Sequence, residues 1–125
     1  MNPTVFLVAV AAGGLGATLR YVSTAVFTPK NSFPLGVLLS NLIGSFLAGV
    51  AAALLTDTLL SPDVAFIIVV GFCGGLTTMS SFAVDTVTAM TAGKWKSAAI
   101  NISVTTIGGV LLAGVGYLLG VTLSF

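Results

Sequence analysis

The residues best equipped for chemistry form one stretch, Gly71-Phe-Cys-Gly-Gly-Leu-Thr-Thr-Met-Ser-Ser-Phe82. It lies within an apolar segment long enough to cross a membrane as a helix. Two adjacent glycines followed by Thr-Thr and Ser-Ser make a poor helix centre. Glycine raises the entropic cost of ordering, and the hydroxyls compete for backbone hydrogen bonds. In hydrocarbon a broken helix leaves N–H and C=O groups unpaired, each at a cost of several kcal/mol. A break at that depth survives only where protein, water or an ion satisfies those groups, so the stretch is a candidate ion site. Freed carbonyls suit a hard cation bound by oxygens.

Polar residues elsewhere in the apolar segments add to this inventory. Arg20 lies seven residues before the predicted end of the first helix at Phe27, roughly 10 Å deep at about 1.5 Å per residue. It can snorkel to the interface, or pin a buried polar network and offer charge to an anion. Asn41 shares a face with Ser45, Ala48 and Ala52; its amide can join helices or line a path and donate to a passing anion. Asp85, several residues after the break, reads as a vestibule or network residue, because a lipid-facing carboxylate is unfavourable. No second acid lies at depth to make a cation-transport site with it. Asn101 and Thr105 share a face with Gly109 and Ala113. Acids at depth are scarce while N–H and O–H donors are plentiful, which favours an anion over a proton-coupled substrate. Aromatic ring edges carry positive charge as well, so Asn41, Ser80, Ser81, Phe82, Asn101 and Thr105 form a plausible anion inventory.

These residues must be positioned by the rest of a chain of 125 residues, 57% hydrophobic and 6% charged. Four apolar segments account for nearly all of it, predicting an all-α integral membrane protein with helices over 4–27, 33–56, 64–90 and 96–123, the third one broken. The linkers 28–32, 57–63 and 91–94 are too short to hold a second domain, so residues 1–125 form a single four-helix membrane domain. The first segment is too long for a signal-peptide core and lacks a basic start. Small residues recur at helical spacing, with Ala9, Gly13 and Ala17 beside Ala12 and Gly16, and later Gly108, Gly116 and Gly120. Such stripes let helix backbones approach closely in lipid. Four helices, at about 10 Å each, enclose no wide central pore, so a conduction path calls for an oligomer. The absence of histidine removes most zinc and haem schemes and the common catalytic triads. No phosphate-binding glycine loop is present. A net charge of +1 with no basic run gives no sign of nucleic-acid binding, and a single cysteine, Cys73, excludes an intrachain disulfide.

Three motifs then carry a resemblance to the fluoride-channel family known as CrcB or Fluc: Gly13-Gly-Leu-Gly-Ala-Thr-Leu-Arg-Tyr21, Gly36-Val-Leu-Leu-Ser-Asn-Leu-Ile-Gly-Ser-Phe-Leu-Ala-Gly49, and the Gly71–Phe82 stretch. The resemblance runs through all four helices. It implies an antiparallel, dual-topology-type dimer in the cell membrane, not an enzyme, that conducts fluoride passively and lowers cytoplasmic fluoride. Two narrow pores would run along the subunit interfaces. A sodium ion, not transported, would sit at the dimer centre on the carbonyls of Gly74 and Thr77. Asn41 matches the family's pore asparagine, Arg20 its first-helix arginine, and Phe82 the second of two pore phenylalanines. Ser81 and Thr105 match hydroxyl positions near the path. The chain departs from the pattern at Met79, which replaces the first pore phenylalanine, and at Val37, which replaces a threonine. Asn101 stands where a tyrosine is expected, and Asp85 replaces glutamate. Methionine presents no aromatic edge, although its polarizable thioether fills similar space. Two rival readings are a small multidrug-type four-helix transporter and a non-conducting subunit of a heterodimeric channel. The first needs an acid in its first helix, and 4–27 contains none.

Charge in the linkers predicts an orientation. Both termini and the 57–63 linker share one side, while Lys30, Lys94 and Lys96 fall on the other. The positive-inside rule counts lysine and arginine and gives acids little weight, so the termini are expected outside and the lysine linkers in the cytoplasm. An antiparallel dimer would then pair this chain with an oppositely biased paralogue, with a dual-topology homodimer as the alternative. Labelling of single cysteines placed in the Lys30 and 57–63 linkers of intact cells should modify only the 57–63 site from outside. Equal labelling of both would show dual insertion.

Overall fold

The computed structural model describes residues 2–30 and 33–123. Four helical spans follow one another: α1 (Pro3–Phe27), α2 (Leu35–Thr56), α3 (Pro62–Thr91) and α4 (Trp95–Leu123). Each is long and apolar enough to cross a membrane, and no strand occurs among the described residues. The starts of the spans follow capping chemistry. The Asn2 side chain accepts from the Thr4 N–H at 3.0 Å, with Pro3 opening α1. α3 begins at Pro62, ahead of the apolar run that starts at Val64. Ser61 caps the Val64 N–H at 3.4 Å, and Asp63 stands in the first turn, where the helix dipole favours an acid. α2 begins only at Leu35 and not at Phe33, because the residue before Pro34 is pushed away from the helical region.

α3 is not uniform. An α-helical start, Pro62–Phe66, passes into a π-helical stretch, Ile67–Cys73, and then a short α-helical piece, Gly74–Leu76. Thr77 (φ −82°, ψ 156°) and Thr78 (φ −152°, ψ 130°) are extended, and the helix resumes over Met79–Thr91. The π-helical stretch has no marker in its Ile-Ile-Val-Val run. Wide turns of this kind are rare and cluster at functional sites.

α2 is the central helix. It buries Val37, Leu38, Ser40, Asn41, Gly44, Gly49, Ala51 and Ala53, whereas α1 buries only Ala9 and Gly16. α2 makes its largest contact with α4, and α1 lies along the first half of α3. Both seams are backbone-to-backbone contacts. On the α1–α3 seam a Cβ on Gly75 would collide with the Gly13 carbonyl, and one on Gly71 would sit 2.6 Å from the Ala9 carbonyl oxygen. On the α2–α4 seam Gly49 meets the Ala113 carbonyl, and Gly116 meets the Phe46 carbonyl. Small residues thus supply van der Waals contact where lipid offers no hydrophobic drive for helix association. The outer faces stay apolar and open, with Leu7, Val10, Val110, Leu111 and Leu118 all exposed. That surface suits lipid or another chain.

Gly116→Val should destabilise the α2–α4 seam by about 1–3 kcal/mol, the usual range for overpacking, because the obstruction is backbone and cannot rotate away. Gly114→Ala, which adds a Cβ to open space, should be nearly neutral. Thermal unfolding of both variants in detergent measures the contrast.

Candidate ion site

The interruption of α3 redirects two backbone hydrogen bonds. In a continuous α-helix the Gly74 carbonyl would accept from the Thr78 N–H, and the Thr77 carbonyl from the Ser81 N–H. Here the Thr78 N–H donates to Asn41 Oδ1 at 2.7 Å, and the Ser81 N–H donates to Thr78 Oγ1 at 3.3 Å. The Thr78 hydroxyl is therefore the N-cap of the second half of α3. Both carbonyls lose their helical donors. That of Thr77 gains a different one, Arg20 Nη1, at 2.9 Å.

Asn41 holds the break from the α2 side. Its Nδ2 donates to the Thr78 carbonyl at 3.1 Å while its Oδ1 accepts from the Thr78 N–H. One side chain thus pairs with both backbone groups of one residue, as a neighbouring strand would. The Thr77 hydroxyl turns back to the Cys73 carbonyl at 2.9 Å, and its methyl lies where a Cβ on Gly44 would stand. Among the described residues no buried side-chain nitrogen or oxygen is without a partner.

The residues singled out in the sequence fall into three groups. Arg20, Asn41, Gly74 and Thr77 meet at the break. Arg20 is half-buried and joined to Thr77, which is the network role and not the snorkelling one. Asn41 is 9% exposed and ties α2 to α3, the helix-joining role, with a second amide hydrogen beyond its bond to Thr78. Gly74 is exposed, while Val37 is buried beside the same stretch of α2.

A second group opens the second half of α3. Met79 is 74% exposed and Ser80 is exposed, while Ser81 and Phe82 are half-buried. Further along, Asp85 is half-buried and lines a cleft of about 320 Å³ with Thr28, Lys30, Thr88, Lys94 and Ser97, at the end that carries the lysine linkers.

The third group joins α4 to α3. Asn101 Nδ2 donates to Thr86 Oγ1 at 3.0 Å, and the Thr86 hydroxyl donates to the Phe82 carbonyl at 2.8 Å. The Thr105 hydroxyl donates to Asn101 Oδ1 at 3.4 Å. Thr86 escaped sequence reading. Its only signal is its spacing of four from Phe82, which lets a threonine bond back to the carbonyl of the preceding turn.

Residues 7–117 match the family described as CrcB-like protein, Camphor Resistance (CrcB). The chain belongs to the CrcB family. Its relatives include the fluoride-specific ion channel FluC of Acinetobacter baumannii (strain SDF), 38% identical over 112 residues that cover 88% of this chain and 89% of that protein. FluC of Shewanella sp. (strain ANA-3) is 42% identical over 99 residues, covering 77% and 80%. With four spans able to cross a bilayer, this CrcB protein is a multi-pass membrane protein. Its family match takes in the break, Arg20, Asn41 and Asn101 alike.

Asn41→Leu removes both partners of Thr78 and should destabilise the fold by on the order of 1–3 kcal/mol for each group left unpaired. Asn41→Asp keeps an acceptor for the Thr78 N–H but sets a carboxylate oxygen against the Thr78 carbonyl at membrane depth and offers Arg20 a competing partner, so it should be destabilised at least as much as Asn41→Leu. Thermal unfolding and amide exchange at Thr78 would rank the three proteins.

Proposed function

We propose that this chain forms a fluoride-selective, passive channel that lowers cytoplasmic fluoride, as an antiparallel dimer in the cell membrane. The observation that carries the reading is family membership with relatives named as fluoride channels. The site's chemistry supports it. Fluoride is small and tightly hydrated, so donors must replace its water closely. The hydroxyls of Ser80 and Ser81 and the ring edge of Phe82 begin the second half of α3, and that helix end carries the positive pole of its dipole. Asn41, with an amide hydrogen to spare, stands beside them. The lysine-lined cleft at Asp85 lies further along the same half-helix and suits a vestibule.

The same reading assigns a structural sodium ion to the carbonyls of Gly74 and Thr77. The break deprives both of their helical donors, and oxygen-only donors suit a hard cation. One chain supplies two such carbonyls, so a complete shell requires the equivalent pair from a second, oppositely oriented copy or paralogue. When bound, the ion supplies positive charge at the centre of the dimer. Arg20 holds the Thr77 carbonyl in place and takes only one of its two lone pairs.

A second reading, a subunit with a weakened pore that serves in a heterodimer, is favoured by Met79. This exposed side chain stands where the family resemblance places a ring. A multidrug-type transporter is disfavoured by the lack of any acid in α1.

Fluoride efflux from proteoliposomes holding only this chain, with chloride as control, tests the proposal. Fluoride should leave much faster than chloride, and equal rates would defeat the selectivity claim. Exhaustive replacement of sodium by a large organic cation should impair flux or dimer stability. In the same assay Met79→Phe should raise fluoride flux if Met79 weakens the pore.

A further inference from the structure

Phe82 lies four residues beyond Thr78, and its backbone is held by a line of side chains that begins on α4. The Thr105 hydroxyl donates to Asn101 Oδ1, the Asn101 amide donates to Thr86 Oγ1, and the Thr86 hydroxyl donates to the Phe82 carbonyl, at 3.4, 3.0 and 2.8 Å. Every donor points the same way. A hydroxyl has a single hydrogen, and that of Thr86 is committed to Phe82. Its lone pairs can therefore only accept, and Asn101 supplies the donor. Asn101 is 2% exposed and Thr86 6%, so the link between them is shielded from competing solvent. Aligned bonds of this kind polarise and strengthen one another in a low-dielectric interior.

We propose that Asn101 is a positioning residue for Phe82, acting through Thr86, and is not itself a donor to the passing ion. This rests on the channel reading above, in which the Phe82 ring edge faces the ion path. The Asn101 Oδ1 accepts from Thr105 and one of its two amide hydrogens goes to Thr86; the second belongs to a side chain only 2% exposed, more enclosed than Asn41 at 9%. What it does is fix the turn Phe82–Thr86 against α4. Phenylalanine has only two side-chain torsions, so the placement of its ring follows the placement of its backbone. The cap at Thr78 holds this half-helix at its beginning, and the relay holds it one turn later. Together they set the direction in which the ring edge points.

The test compares wild type with Asn101→Leu, Thr86→Val, the double variant and Thr86→Ser. Two readouts are taken: the fluoride-to-chloride efflux ratio in proteoliposomes, and the fluorine resonance of a 4-fluorophenylalanine placed at position 82. Thermal unfolding and dimer content are followed in parallel. Asn101→Leu and Thr86→Val should each lower the efflux ratio about fivefold, the equivalent of one buried hydrogen bond, and shift the resonance in the same direction. The double variant should match either single variant, because both break one relay. Thr86→Ser keeps the hydroxyl and should keep the wild-type ratio and resonance. Thr86→Val preserves side-chain shape, so it reports even if Asn101→Leu folds poorly. An unchanged ratio and resonance in the single variants would overturn the proposal, even if thermal stability fell, and so would additive effects in the double variant. If wild type itself passes no fluoride, the channel reading fails, and the resonance alone then decides the relay.

Discussion

The structure depends on pairing the backbone of two residues, Thr77 and Thr78, in the middle of a membrane-spanning helix. Water cannot reach such a site freely, and an unpaired peptide group in hydrocarbon costs several kcal/mol. The chain meets the demand with side chains. Asn41 takes both backbone groups of Thr78, Arg20 takes the carbonyl of Thr77, and the Thr78 hydroxyl caps the helix that follows. Removing any one of these converts a paired interruption into an unpaired one. The local preference of Gly-Gly and Thr-Thr against helix would not by itself keep the break open.

The polar pairing in turn requires close helices. Arg20 reaches from α1 and Asn41 from α2, and both must arrive at hydrogen-bond distance on the same short piece of α3. The glycine contacts make that possible. Gly13 lies against Gly75, Gly16 against the Phe72 carbonyl, and Gly44 admits the Thr77 methyl. A larger residue at any of these points would push a helix outward and take its polar side chain out of range. The small-residue stripes are therefore part of the site as well as of the packing, and their positions one or two turns from Arg20 and Asn41 follow from that.

Much of this was legible in the sequence. The four spans follow from apolar length, the site of weak helix from Gly74-Gly75 and the threonines after them, and the α1 seam from Ala9, Gly13 and Gly16. The sequence leaves Asn41 between joining helices and lining a path, because residue type alone does not say which backbone group an amide will meet. It leaves Arg20 equally open between interface and network, since depth along a helix does not fix the direction of a long side chain. Thr86 gives only a weak signal, its spacing from Phe82, because a mid-helix threonine next to valine reads as lipid-facing or packing. Its importance comes from Asn101 on another helix. The π-helical stretch was hidden for a related reason: its wide turns are a property of backbone geometry, and an aliphatic run is compatible with either form.

One interruption gives the site two kinds of chemistry at once. The helical part of α3 that ends at Leu76 presents carbonyls, the negative pole of its dipole, and the part that begins at Met79 presents N–H groups and hydroxyls, the positive pole. A broken membrane helix thus offers acceptors on one side of the break and donors on the other. The side chains respect this division. The carbonyl side has Arg20, whose charge balances the concentrated oxygens, and its one acid, Asp63, stands in the first turn at the far end of that piece. The donor side has Ser80, Ser81 and Phe82, and its one acid, Asp85, stands further along the half-helix beside a lysine-lined cleft. An acid at the break would pair with Arg20 and withdraw it from Thr77. The near absence of carboxylates from the spans is therefore a condition for the break to keep its shape.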